Sequence, residues 1–533
     1  MTAQRTLSAR TLLVAALTLG VVLLYNLPRS AELLFNWDSV NYALGAEHYD
    51  LRVHEPHPPG YPLWILAVRA LTALGLGANV AQLLLAQASV ALAALALLDL
   101  TRARGRATQI VVGAALLCGP LVAMHARLAG TYTSELMSSA LVGWACADLW
   151  RGRSRRGALA VLAWIVAAGL RTSAAVFLLP LLLVSLWRGF PRSRLRALLL
   201  ASVAGLGALA CYVPVWLSLG PLPGSFVYWR HMLDVLFNDP VSGSSWFYGA
   251  SLDAHLGLFV RLATWWSYGL LPLLAALLLL RLRRKPAAAA TSVPDCDAPA
   301  LSGRFLLLWA APSVTFLALV YAPHPGYVLA PLPPMLLALA RGIPREGVSR
   351  GRLLGALAAL VVTAELIARP HYGPLPEPGV SPASPGAALS HATPAQIASS
   401  DAQLRAIMAV LAERPPEEAV CVLEVDWNLA NWRKLAWQLP ERPVWWLNAG
   451  RGKLAWMQAR RRQESEVLRV DPKARVMWWV AQSEQAPAVL ARAFPQAERV
   501  LWQHAVSLWR VDLDERTALV LQHGPQRWTL KRE

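Results

Sequence analysis

Stretches of apolar residues recur along most of this chain, and they constrain its fold more than any other feature. A helix needs about 20 mostly apolar residues to cross a bilayer. Eleven candidate spans fall at roughly 11–28, 79–100, 107–124, 134–150, 157–170, 172–187, 196–218, 257–281, 304–321, 327–341 and 352–369. Those at 157–170, 172–187 and 327–341 are the shortest. Only 15% of the 533 residues are charged and 56% are hydrophobic, whereas an ordinary soluble domain is about a quarter charged. This balance excludes a disordered, collagenous or disulfide-stapled chain and points to a polytopic membrane protein. Residues 11–28 have the length of a signal peptide, but no small-residue cleavage site precedes soluble sequence, so they read as an uncleaved first span.

Orientation follows from the basic residues of the short loops. One alternate set carries RARGR (102–106), RGRSRR (151–156), RGFPRSRLR (188–196), RLRRK (281–285) and RGIPREGVSRGR (341–352). With Arg5, Arg10 and Arg304 this side holds 22 Lys and Arg, against 8 on the opposite side and in the spans before the tail. The basic side is therefore expected in the cytoplasm, and the N-terminus with it. The net charge of +18 is spread over these loops and forms no single patch, which argues against nucleic-acid binding. Residues 61–76 are apolar enough to look like a span, but counting them would flip the basic loops outward. They are expected as a juxtamembrane helix on the outer surface, in keeping with Arg69 at their centre. The five cysteines, Cys118, Cys146, Cys211, Cys296 and Cys421, show no metal-ligand spacing.

The outer side then receives a long first loop (29–78), a turn at Gly169–Ser173 and the C-terminal part. Residues 1–370 form the membrane domain, and 371–398, rich in Pro, Ala, Gly and Ser, read as a linker. Residues 399–533 read as a small α/β domain. A helix is expected at 401–413, strands at 419–425, 474–481 and 498–513, and amphipathic stretches at 427–438 and 484–494. Its many tryptophans suit either a domain core or a membrane-surface contact.

The first outer loop, FNWDSVNYALGAEHYDLRVHEPHPPGYPL (35–63), is the most informative stretch. It gathers Asp38, Glu47, Asp50, Glu55, His48, His54 and His57, and its prolines stiffen the backbone beside His57. The ordinary alternative is a solvated loop. A metal held by Asp38, Asp50 and the histidines is a further alternative.

An acidic residue soon after the first span, followed by HPP at the start of a juxtamembrane helix, resembles the GT-C class of membrane glycosyltransferases. Protein O-mannosyltransferases carry an Asp-Glu pair in this loop and a His-Pro-Pro motif some twenty residues later. Here Asp38 and His57-Pro58-Pro59 stand 19 apart. The string HPPGYPL (57–63) is similar to that of GT-C-like proteins with Asp-Ser-Gly-Glu upstream. In this chain Ser39 stands where the first group has its second acid, and Asn41 where the second group has Glu. TYTSEL (131–136), GLRTS (169–173) and YAPHPGYVLAPLPP (321–334) resemble further segments of the same class. The C-terminal domain matches no family in this reading.

The resemblance implies a GT-C-like all-α polytopic domain. It also implies transfer of a sugar from a polyprenyl-phosphate donor, on the outer face, to a lipid-linked glycan or protein hydroxyl. The setting would be a bacterial inner membrane, with the C-terminal domain extracytoplasmic. No metal or other cofactor is implied, the lipid-phosphate sugar being a co-substrate. Asp38 is the candidate general base. Arg171 is the candidate phosphate partner, because guanidinium matches phosphate geometry and an arginine between apolar spans is costly; its alternative is a helix-hairpin cap. His57, His324, Tyr327, Tyr132 and Glu135 are candidate substrate-binding residues. Arg127, Arg230 and His231 read more simply as headgroup anchors or parts of an interfacial helix. A rival class is a transporter or flippase of an anionic lipid or sugar-lipid built around Arg171.

Overall fold

The computed structural model describes residues 9–220, 252–282, 301–320, 324–344, 348–368, 394–424, 432–448 and, with short breaks, 453–532, together with a few positions at 226–230. The apolar stretches are helical, as they must be where no water is present to satisfy the backbone. In chain order the membrane domain has α1 (Ala9–Asn26), α2 (Trp37–Glu47), α3 (Pro62–Ala73), α4 (Ala78–Thr101), α5 (Arg106–Cys118), α6 (Pro120–Ala126), α7 (Tyr132–Trp150) and α8 (Gly157–Leu170). There follow α9 (Thr172–Gly189), α10 (Arg194–Cys211), α11 (Val213–Leu219), α12 (Leu252–Leu282), α13 (Gly303–Leu319), α14 (Leu332–Ala340) and α15 (Arg350–Ala368).

Five helical stretches among the described residues are long and apolar enough to cross a bilayer: Ala78–Arg104, Thr172–Gly189, Arg194–Leu219, His255–Arg281 and Arg350–Ala368. The pair α5–α6, bent by 55° at Gly119-Pro120, makes a sixth if it counts as one broken span. The eleven expected spans are therefore not reproduced as eleven full-length helices. At 14 residues α8 reaches about 21 Å, and at nine residues α14 reaches about 14 Å. Neither crosses the hydrocarbon alone as a straight helix. The expected span at 327–341 instead divides into a 3-10 turn, Pro325–Leu329, and α14.

The helices meet through small residues. Gly143 on α7 lies against the Trp309 ring of α13, so that a Cβ there would overlap it. Trp309 Nε1 donates to Ser139 Oγ at 2.8 Å, and that hydroxyl donates to the Ala330 carbonyl at 2.6 Å. Close backbone approach plus an interhelical hydrogen bond is what holds helices where lipid removes the hydrophobic drive. On α10, Leu195, Leu198, Leu199, Val203, Leu206 and Leu209 are all exposed, an apolar stripe suited to lipid.

The stretch 61–76, expected as a juxtamembrane helix, contains α3, which is 12 residues long. Its Arg69 is explained by the fold: Nε donates to the Ala46 carbonyl at 2.8 Å and Nη2 to that of Gly45 at 3.3 Å. The cation thus caps the C-terminus of α2, where carbonyls lack partners.

Residues 369–393, most of the expected linker, lie outside the described residues. The C-terminal domain opens with α16 (Pro394–Ala412), a few residues inside the expected linker. Then come β1 (Val420–Glu424), α17 (Trp432–Gln438), β2 (Val444–Asn448), β3 (Lys453–Gln458), β4 (Arg461–Glu464), β5 (Leu468–Val470), β6 (Val476–Ala481), α18 (Gln485–Ala493), β7 (Glu498–Gln503), β8 (Val506–Asp512), β9 (Leu519–His523) and β10 (Gln526–Arg532). Seven strands form a mixed sheet in the order β4-β3-β2-β1-β6-β8-β7, with β1 parallel to β2 and β6, and β5-β10-β9 form a second sheet. The expected strand at 498–513 is a hairpin, β7–β8.

Alternation decides what each sheet face covers. Cys421, Leu423, Trp445, Met477 and Trp479 pack with Leu490 and Phe494 of α18 and its neighbourhood. Val420, Val422, Val444, Trp478 and Val480 pack with Ile407 and Leu411 of α16, Trp432 and Leu435 of α17, and Leu34, Val40, Ala43 and Leu44 of the long first loop (29–78). All of β6 is buried because both its faces are covered. Trp432, Trp445, Trp478 and Trp479 are thus core, and one apolar cluster seats the domain on the loop around α2. Arg405 pairs with Glu32 and Arg460 with Glu47 across the same seam. Asp401 accepts from the Glu32 amide at 2.8 Å.

Gly143→Ala is expected to destabilise the protein by about 1–3 kcal/mol, because the added methyl overpacks the Trp309 contact. Thermal unfolding in detergent, read against Gly355→Ala, where nothing lies within 4 Å of the added Cβ, measures it.

Candidate active site

The long first loop, residues 29–78, is built by local signals. Asn36 caps α2: its side chain accepts from the Ser39 amide at 2.8 Å while Ser39 Oγ accepts from the Asn36 amide at 3.0 Å. This reciprocal capping box fixes the helix start. Ser39, the residue at the place of a second acid, is thereby spent on the cap. Asp38 falls in the first turn of α2, where the helix dipole favours a carboxylate. Gly45 of α2 lies so close to Pro56 that a Cβ would stand 2.6 Å from its Cδ, which presses the Pro56–Pro59 segment onto the helix. Gly60, at φ +105, is held by a hydrogen bond from the Tyr49 hydroxyl to its carbonyl, 2.9 Å.

This packing brings His57 Nδ1 to 3.6 Å from Asp38 Oδ1. His57 Nε2 lies 3.1 Å from the Tyr61 hydroxyl. Tyr61 has φ +47 as the residue before α3, a left-handed conformation uncommon outside glycine. Tyr42, one turn beyond Asp38, has its ring 5.2 Å from that of His57 and its hydroxyl 3.1 Å from Thr131 Oγ1. Burial holds the His57 imidazole below the usual histidine range, opposed by Asp38 and reinforced by Arg171 and Arg433. His57 is therefore neutral at pH 7, and the stability tied to it is present above the ordinary histidine pKa and lost as pH falls through the lowered one.

Arg171 stands at the break between α8 and α9, with extended backbone at φ −153, ψ 121. That kink turns a cation inward. Its Nε donates to Glu135 Oε1 at 2.8 Å and its Nη1 to Thr131 Oγ1 at 2.7 Å. Ser173 Oγ also donates to Glu135. The Arg171 side chain is 3% exposed and that of Glu135 is fully buried. Three rings surround the guanidinium, Tyr132 at 4.4 Å, Tyr327 at 4.9 Å and Tyr61 at 5.7 Å, a cation–π cage that offsets lost hydration. His324 stacks on Tyr132 at 4.4 Å and 11°, and His125 meets both edge-on. His324 Nδ1 accepts from the Gly326 amide at 3.0 Å, which assigns the proton of the neutral ring to Nε2.

Asp38, His57, Tyr132, Glu135, Arg171, His324 and Tyr327 are thus brought to one cluster by α2, the loop before α3, α7, the α8–α9 break and the turn at 325–329. Arg127 is elsewhere, 5.3 Å over the Tyr25 ring. Arg230 is exposed, and His231 lies outside the described residues. Asp50 pairs with Arg52 instead of joining Asp38, and among the described residues no three His, Cys, Asp or Glu converge on a metal position. Sequence reasoning missed Tyr42, Tyr61, Thr131, Ser173 and His125. The signal for Tyr42 was its i+4 spacing from Asp38; Tyr61 lay inside HPPGYPL. His125, alone in an apolar helix, offered none.

Removing one partner of the Arg171–Glu135 pair strands a buried charge. Glu135→Gln and Arg171→Met are each expected to cost about 3–5 kcal/mol, and the double variant less than their sum. Thermal unfolding of the four proteins measures the coupling.

No protein-family model and no curated protein matches the chain. Solved structures do. ArnT from Cupriavidus metallidurans in the apo state aligns with TM-score 0.50 and 16% identity over 94% of this chain and 98% of that one. ArnT from Cupriavidus metallidurans bound to undecaprenyl phosphate aligns with TM-score 0.53 and 16% identity over the same shares. The likeness is one of fold: this chain has the GT-C architecture that its first-loop motif led one to expect.

Proposed function

We propose that the chain is an integral-membrane glycosyltransferase that moves a sugar from a polyprenyl-phosphate donor to a hydroxyl of a lipid-linked glycan or protein. In this reading the reaction takes place at the outer face of a bacterial inner membrane. The observation that carries it is the pairing of Asp38 and His57 next to a caged, buried arginine. The undecaprenyl phosphate named in the second ArnT structure supports a polyprenyl-phosphate partner.

Asp38 is the general base. It takes the proton of the acceptor hydroxyl as that oxygen attacks the anomeric carbon. The bond from that carbon to the phosphate oxygen breaks, and polyprenyl phosphate leaves with the electron pair, inverting the configuration. Its side chain is 27% exposed, open enough for an acceptor to approach. Neutral His57 orients the carboxylate. Two of the five N–H donors of Arg171 go to Glu135 and Thr131, and in this reading others meet the departing phosphate, where charge grows. Glu135 and the tyrosines hold that guanidinium in place.

Purified protein in lipid, given a panel of radiolabelled polyprenyl-phosphate sugars, is expected to release polyprenyl phosphate from at least one. Asp38→Asn is expected to lower the rate about 10²–10⁴-fold with folding intact. No release from any donor, with membrane extract supplied as acceptor, overturns the reading. The acid limb of the rate–pH profile is expected below pH 6.5, about where an ordinary histidine titrates, because burial disfavours the charged imidazole. A limb at or above that value removes the neutral role given to His57.

A further inference from the structure

The C-terminal domain sends one residue into the first outer loop. Arg433, on α17, is fully buried. Its Nη1 donates to the Asn41 side-chain carbonyl and, at 3.1 Å, to the His54 carbonyl, while Nη2 donates to the Val53 carbonyl at 3.2 Å. Its guanidinium stands 4.3 Å over the Trp37 ring. Trp37 and Asn41 flank Asp38 on α2. Val53 and His54 are the residues that lead into Glu55, Pro56 and His57, and His54 turns the chain through a left-handed conformation, φ 61.

We propose that Arg433 is a positioning residue, and that the C-terminal domain completes the catalytic site by using it to tie the helix bearing Asp38 to the segment bearing His57. The proposal rests on the reading of Asp38 as general base. A planar fork suits this task, because it grips two carbonyls and an amide at once while lying flat on an indole. A guanidinium is also a costly group to bury for adhesion alone. The seam already has apolar contacts and the ion pairs Arg405–Glu32 and Arg460–Glu47 at more exposed positions. What Arg433 adds is register. Two stretches of one loop are fixed relative to each other by a third party, and the 3.6 Å separation of Asp38 from His57 follows from that register.

The test uses the full chain in lipid. Arg433→Ala is expected to lower kcat about 10- to 100-fold, the effect of displacing a catalytic group by about 1 Å. KM for the donor should move less than about 3-fold, because Arg171 is untouched. The charged and titratable groups facing His57 are Asp38, Arg171, Arg433, Tyr42 and Tyr61. Removing one cation among them should move the acid limb to higher pH. Arg433→Lys keeps the charge and loses the fork, so the limb should return while kcat stays low. Arg405→Ala, at an exposed pair, should leave kcat unchanged. Wild-type kcat and acid limb in Arg433→Ala overturn the proposal.

Amide hydrogen exchange supplies a readout that needs no turnover. Faster exchange confined to residues 37–57 in Arg433→Ala supports the positioning role. Unchanged exchange there overturns it, as does a loss of protection throughout the C-terminal domain, which would make Arg433 an anchor only. If wild-type protein transfers no sugar, the functional reading fails by itself and the exchange result decides the fate of the tie.

Discussion

The buried pair of Arg171 and Glu135 is the interaction on which the site depends. A guanidinium in a low-dielectric interior must find an anion, hydrogen-bond acceptors and polarisable surfaces, or it destabilises the fold. Here it finds Glu135 and Thr131 from α7 and the turn before it, and Tyr61, Tyr132 and Tyr327 from three different segments. Each partner belongs to an element that must pack for reasons of its own. The cation therefore selects one arrangement of those elements. The break between α8 and α9 makes this affordable in backbone terms, since an extended residue between two helices is the position from which a long side chain turns inward.

A second layer of order lies in the long first loop, residues 29–78. Loops of about fifty residues are ordinarily mobile; this one is held by a capping box, by Arg69 on the end of α2, by the contact of Gly45 with Pro56 and by the sheet face of the C-terminal domain. The domain is not an appendage beside the membrane part. Its even-numbered β1 residues and Val40, Ala43 and Leu44 of α2 belong to one apolar cluster, so the helix that carries Asp38 on one side is part of a protein core on the other. Rigid support behind a loop is what holds its side chains in one geometry.

Much of this could be read from residues that are close in sequence. The spacing of Asp38 from His57-Pro58-Pro59 and the isolated Arg171 between apolar runs both led to residues that the fold brings together. What failed had long-range causes. Among the described residues the eleven spans are not matched by eleven full-length helices, because hydropathy sees composition while the fold shortens α8 and α14 and bends α5 against α6. The strands β2 to β5, β9 and β10 escaped notice because each is short, three to seven residues, and in β4, β5 and β10 charged residues break the apolar pattern.

The sequence by itself determined that this chain is a helical membrane protein with an α/β domain behind it. It also singled out the loop around Asp38 and His57, two residues that the fold brings within 3.6 Å of each other. Periodicity, turn residues and charge asymmetry are local properties, and each acts within a few tens of residues. Only the tertiary structure decided which groups share the site. Arg171 meets Glu135 across 36 residues, His324 stacks on Tyr132 across nearly two hundred, and Arg433 reaches the His54 carbonyl across 379. Such pairings are set by how helices and a sheet bury their faces against one another, and no window along the chain contains both partners.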